Sequence, residues 1–152
     1  MNPLFNVRVY GILIENESVL VSDEIHHGRM ITKFPGGGLQ FGEGTHDCLK
    51  REFLEELNIS VQIISHFYTV DFFQPSAFDS TQQVISIYYV VRSEEISNIP
   101  VANTKLTLDN NEGVIQLFRW VEIGDLNESI FTFPIDKKVS ELIAEKFSDY
   151  KK

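Results

Sequence analysis

One cysteine, one tryptophan and two methionines stand among 152 residues. The lone thiol, Cys48, rules out an internal disulfide framework and suits a reducing, cytoplasmic setting. Positive charge is scarce as well: 13 Lys and Arg face 22 Asp and Glu, a net charge of −9. Such acidity argues against nucleic-acid polymers and anionic membranes as partners, because both present negative surfaces. It leaves a phosphorylated small molecule open, provided that something cationic screens the site. No apolar run approaches the roughly 20 residues that span a bilayer. Met1 to Arg8 lack the basic-then-apolar signature of a signal peptide. What is present is globular in proportion, with 43% hydrophobic and 23% charged residues. The length fits one domain, residues 1–152, able to bury about 68–70% of its unfolded surface.

Along the chain, alternation from Asn6 to Ile14 predicts a strand covered on both faces, turning at Glu15-Asn16-Glu17 into a hairpin partner, Ser18–Ser22. Asp23 to Arg29 reads as polar loop, and Met30–Phe34 as a short apolar piece. Pro35-Gly36-Gly37-Gly38 follows as the strongest backbone punctuation in the chain. Thr45–Leu57 reads as a helix. Ser60–Phe73 and Gln82–Val91 are β-rich, joined by a loop around Pro75. Ser93–Gly113 reads as a long polar loop, Leu117–Val121 as a last strand, and Ile135–Phe147 as a closing helix with Leu142, Ile143 and Phe147 as core contacts. Hairpins with two separated helices point to an α/β class, a mixed sheet packed between helices in three layers.

The Thr45–Leu57 helix carries the chemistry. At 100° per residue, Glu52, Glu55 and Glu56 fall within about 100° of arc, beside an apolar stripe of Leu49, Phe53 and Leu57. Carboxylates at i, i+3 and i+4 repel, and the only cations nearby are Lys50 and Arg51. This helix is therefore expected to be strained until a cation arrives. Oxygen-rich clusters suit hard divalent ions, Mg²⁺ or Mn²⁺, shared with substrate phosphates. A solvated acidic face is the alternative for E-x-x-E-E taken alone.

The wider spacing is more specific. Gly37, five residues, Glu43, seven residues, then Arg51-Glu52-Phe53-Leu54-Glu55-Glu56-Leu57-Asn58-Ile59 resembles the Nudix box, G-x5-E-x7-R-E-U-x-E-E-x-G-U, with U a bulky apolar residue. Five specified charged residues coincide by accident on the order of once in a million placements. Asn58 stands where the family has glycine. Asparagine tolerates the left-handed conformation after a helix, so the turn is expected to survive.

The resemblance implies a Nudix-type α/β/α sandwich and hydrolysis, by water and Mg²⁺ or Mn²⁺, of the pyrophosphate linkage of a nucleoside diphosphate derivative. A nucleoside triphosphate, ADP-ribose and a nucleotide sugar are the candidate substrates. Carried over by position, Glu55 and Glu56 are implied metal ligands, and Glu52 a ligand or the base that activates water. Arg51 and Glu43 form an orienting ion pair, and Gly36 offers its carbonyl near the metal. Glu112 is the candidate for a further acidic residue beyond the box. Arg8, Arg29 and Lys33 are candidate phosphate contacts, weighed against ordinary surface cations. Phe73, with Phe72 and Phe78, is a candidate for stacking on a base, weighed against packing in the core or loop. His26 and His27 read as solvated, and Cys48 as packing. A non-catalytic nucleotide-sensing module is the alternative, disfavoured because all four box glutamates are present. The resemblance also leaves a homodimer open.

Overall fold

The computed structural model describes residues 4–109, 111 and 113–147. They fall into two compact units, Met1–Ile12 with Gly36–Ile99, and Leu13–Pro35 with Pro100–Lys152. Strand β1 (Leu4–Glu15) contributes to both. Val9 to Leu13 are buried without a break, as the two-sided alternation required.

In the first unit, β1 is paired with a three-residue strand, β4 (Gly36–Gly38), placing Arg8 opposite Gly38 and Tyr10 opposite Gly36. The glycine run read as backbone punctuation forms a short strand. Glycine is needed there because Gly36 has φ +148°, and a Cβ on it would lie 2.1 Å from the Val9 carbonyl oxygen. Strand β6 (Gln82–Arg92) neighbours β1, and β5 (Gln62–Thr69) pairs with β6, antiparallel and twice shifted in register. The expected strand from Ser60 to Phe73 is therefore shorter. The segment beyond it forms a loop in which Phe72, Phe73 and Phe78 are 39%, 70% and 41% exposed.

Helix α1 (Thr45–Leu57) has the expected bounds. Cys48, Leu49, Phe53 and Leu57 are buried, and a well-buried Leu or Phe contributes about 1.5–3 kcal/mol. Phe53 lies over Gly11, where a Cβ would sit 2.6 Å from Phe53 Cε2. Close approach of helix to strand needs that missing side chain. Asn58 ends the helix with φ 55° and ψ 38°, its N–H donating to the Leu54 carbonyl at 3.0 Å. The left-handed cap expected of asparagine is formed.

In the second unit, β2 (Ser18–His26) runs between β3 (Arg29–Lys33) and β7 (Gln116–Glu122), antiparallel to both. Asp23 to Arg29, expected as loop, is instead strand, a tight turn at His27 and Gly28, and strand. The reason is a buried charge. Asp23 is 0% exposed and accepts from Arg119 Nε at 2.7 Å and Thr32 Oγ1 at 2.6 Å. The 93–113 segment is not a plain loop either. It holds a short 3-10 turn at Ile96–Asn98, a parallel bridge from Val101 to Phe118 and buried Leu106. Helix α2 (Pro134–Lys146) starts on proline. It buries Ile135, Val139 and Ile143, while Leu142 and Phe147 are only half-buried. Phe34 and Phe131 stack with ring centroids 4.6 Å apart.

Candidate active site

The box residues meet in the first unit. The link between β4 and α1 closes as a turn in which Glu43 N–H donates to the Gln40 carbonyl at 3.2 Å and Gln40 N–H to Glu43 Oε1 at 2.8 Å. Gly42 supplies the positive φ, 94°, that this turn needs. Phe41, at its tip, is fully exposed. The turn presents the Glu43 carboxylate to Arg51, in the second turn of α1.

Arg51 is saturated. Its Nε and Nη2 donate to Glu43 Oε2 and Oε1 at 3.0 and 2.8 Å, a two-pronged pair. Nη2 also reaches the Gly38 carbonyl at 3.1 Å. Nη1 donates to Glu52 Oε1 at 2.9 Å and to Glu55 Oε2 at 3.3 Å. All five guanidinium N–H groups therefore have oxygen acceptors, a geometry that lysine has no means of reproducing. These bonds hold the Glu43 carboxyl at about 2, well below the usual carboxylate range, with Arg51 the main cause and the Gln40 N–H the next. Cys48 donates to the Gly38 carbonyl at 3.6 Å. Burial, with the Glu43 charge behind it, pushes its thiol up to about 12, which makes it inert packing.

Glu52 is far more enclosed than Glu55, its side chain 13% exposed against 57%. It lies over Gly37. A Cβ there would meet Glu52 Cδ at 2.4 Å and its two oxygens at 2.5 and 2.7 Å. The family-pattern glycine is thus the floor on which this carboxylate rests, a role that sequence reading missed although the glycine itself was the signal. Glu56 Oε2 is buried. Among the described residues no three His, Cys, Asp or Glu side chains converge as a ready cation cage. The donor chemistry is nevertheless right for a hard divalent ion: three carboxylates on one helix, with Glu52 seated in a glycine cradle.

The other expected contacts lie elsewhere. Arg8 packs over the Tyr10 ring at 5.7 Å and donates to its hydroxyl at 2.6 Å. A Cβ on Gly38 would sit 3.6 Å from Arg8 Nη1, whereas one on Gly37 strikes Glu52. Successive strand residues point to opposite faces, so Arg8 and Glu52 lie on opposite faces of the β1–β4 pair. In the second unit, Lys33 is buried with Nζ 3.0 Å from Glu24 Oε2, and Arg29 is exposed at the start of β3. His26 and His27 are exposed and stack edge-to-face at 4.3 Å. Glu112 lies outside the described residues. No helix among the described residues is long and apolar enough to cross a membrane.

Known proteins share this fold. Residues 5–143 match the family model described as NUDIX domain. The fold is similar to that of a NUDIX hydrolase from Nitrosomonas europaea, with 17% identity, a TM-score of 0.67, and 93% of this chain and 89% of that one covered. It is also similar to MutT studied from Aliivibrio salmonicida and Vibrio cholerae (23% identity, TM-score 0.59, 94% and 99% covered). An ADP-ribose pyrophosphatase from Streptococcus suis is a third (13%, 0.60, 97% and 92%). No curated protein matches the sequence. Identities this low speak for the fold alone, but a single family model spanning nearly the whole chain speaks for descent. The chain belongs to the Nudix family, with that family's α/β fold of a mixed sheet with helices, and is an enzyme of the Nudix hydrolase kind.

Proposed function

We propose that this enzyme hydrolyses the pyrophosphate linkage of a nucleoside diphosphate derivative, with Mg²⁺ or Mn²⁺, by attack of water on phosphorus. The observation that carries the reading is the Arg51 hub, which draws Glu43, Glu52, Glu55 and the glycine-rich strand into one polar constellation. Glu52, Glu55 and Glu56, with the Gly36 carbonyl, are the proposed holders of the cation. When bound, such an ion neutralises phosphate oxygens and eases formation of the nucleophile and departure of the leaving phosphate.

The protein's own part is positioning. Arg51 fixes Glu52 through Oε1, and no protein donor among the described residues occupies Oε2. Oε2 is the atom proposed to accept the proton of the attacking water, should Glu52 be the base. Glu43 keeps Arg51 in place through two bonds. Arg8, bordering Gly38 from the other face, and exposed Phe73 are proposed substrate contacts. Arg29 and Lys33 remain candidate phosphate contacts. Alanine at any of the four should raise KM at little cost to kcat.

The ADP-ribose pyrophosphatase likeness makes ADP-ribose a substrate to test first, beside nucleoside triphosphates and nucleotide sugars. The same reading takes the chain 1–152 as one domain acting in the cytoplasm, with the lone buried thiol in support. It leaves a homodimer to be settled by sedimentation. A nucleotide panel with Mg²⁺, resolved by product, tests the reaction. A nucleoside monophosphate with pyrophosphate or a phosphorylated partner is expected. Free nucleoside as the first product would overturn it.

A further inference from the structure

Arg51 spends its donors unequally. Three N–H groups go to Glu43 and the Gly38 carbonyl, at 3.0, 2.8 and 3.1 Å. The remaining two, both on Nη1, go to Glu52 and Glu55, at 2.9 and 3.3 Å. The first set ties the guanidinium to the turn and to the strand. The second set satisfies the carboxylates assigned above to the cation. One charged group therefore has a fixed anchor on one side and a carboxylate pair on the other. A cation approaching Glu52 and Glu55 meets oxygens already bonded to Arg51, and two positive charges compete for them.

We propose that Arg51 is a displaceable counter-ion of this site. Capture of a divalent cation by Glu52 and Glu55 exchanges with the Nη1 contacts, while Nε and Nη2 stay on Glu43 and Gly38. Glu43 is then more than a tether. Its carboxylate keeps Arg51 close and off the site once the cation is in place. This inference rests on the reading that these carboxylates take a divalent ion, and it goes further by giving Arg51 a cost in cation affinity. An arginine that only orients Glu52 has the opposite sign, since its loss would weaken binding. The sign separates the two.

The experiment is a Mn²⁺ titration of the purified protein by calorimetry, without substrate, for wild type, Arg51→Met and Lys50→Met. Lys50 is exposed beside Arg51, so its variant makes the same change in net charge without touching the hub. Arg51→Met should bind Mn²⁺ about five- to tenfold more tightly than Lys50→Met, the scale of two part-exposed ion pairs. Equal affinities, or weaker binding by Arg51→Met, would overturn the exchange. Should Arg51→Met not melt cooperatively, the wild type suffices. Its Arg51 guanidinium NMR signals should move in step with Mg²⁺ saturation, and signals that stay put would be equally fatal. A wild type that binds no Mn²⁺ would sink the cation reading itself, a distinct result from binding without exchange.

Discussion

Replacing Gly37 with alanine moves one functional atom group and little else. The residue is buried in β4, and its φ is not in the left-handed region, so alanine is compatible with the backbone. The new Cβ would lie 2.4 Å from Glu52 Cδ, where ordinary contact begins at 3.4 Å, so the carboxylate must retreat by 3.4 − 2.4 = 1.0 Å. The neighbour is the far end of a flexible side chain, which turns aside at low cost to the fold. A misplacement of about 1 Å at a positioned group lowers the rate by about a hundredfold. At about 1.4 kcal/mol per decade, that is roughly 2.7 kcal/mol of lost transition-state stabilisation. Gly→Ala at a compatible site changes stability by only about 0.4–1 kcal/mol, a few degrees in Tm. Steady-state kinetics with Mg²⁺, on whichever nucleotide the panel selects, should thus show kcat down about a hundredfold with Tm nearly unchanged. Gly36→Ala is the contrast. Its Cβ meets backbone, at 2.1 Å from the Val9 carbonyl oxygen, from a φ of +148°, so the β1–β4 pairing should fail and Tm should fall. A Gly37→Ala enzyme within about threefold of wild type, folded as well as wild type, would refute the assignment of Glu52.

Acid should reveal the Glu43–Arg51 pair. Glu43 is depressed from 4.5 to about 2 in the fold, so the stability it contributes is complete above 4.5 and lost as pH falls toward 2. Melting temperatures followed from pH 5 to 2 should fall less steeply in Glu43→Gln, and identical slopes would contradict the pair. Cys48, pushed up to about 12 and fully buried, should resist a thiol reagent at pH 8 in the native protein and react on addition of denaturant. Rapid native labelling would place it in an open site. Arg119→Met leaves buried Asp23 with Thr32 and the Leu106 N–H, at 2.6 and 3.4 Å, as its remaining donors. Breaking a buried pair this way costs about 3–5 kcal/mol in urea unfolding, and a loss under about 1 kcal/mol would mean that the pair is dispensable.

How much of this was legible in the sequence follows from how local each signal is. The bounds of α1, its Leu49–Phe53–Leu57 stripe and the Asn58 cap depend on residues within a turn or two of one another, and all appear in the structure. The box spacing is likewise local, and Glu43, Glu52 and Glu55 do meet Arg51. Asp23 was misread because its partner Arg119 is 96 residues away. A lone aspartate in a polar stretch looks like loop until that partner is known, and with it the strand becomes stable in the core. The pairing of the β4 glycines was not legible for a related reason. Three glycines carry no strand propensity, and only the close approach of Val9 and Tyr10 explains why nothing larger is allowed.

The sign of one electrostatic effect also turned on geometry. From sequence, Glu52 with Glu55 and Glu52 with Glu56 are two repulsive pairs, each costing about 0.2–0.5 kcal/mol. On that basis alone Glu55→Gln would leave the metal-free melting temperature the same or raise it. In the structure Arg51 donates to both Glu52 and Glu55, and the Arg51–Glu55 contact is itself an i,i+4 pair that returns about 0.2–0.5 kcal/mol. Removing Glu55 therefore deletes one repulsion and one attraction of similar size, and the melt in chelator should not move by more than about a degree. The metal-dependent part has no such cancellation. A ligand at a hundred times its Kd stabilises by about 2.7 kcal/mol, and most of that rise in Tm should vanish in Glu55→Gln with millimolar Mn²⁺. A full metal-dependent rise in the mutant would move the cation away from Glu55. A clear upward shift in chelator would show instead that Arg51 does not screen the pair in solution.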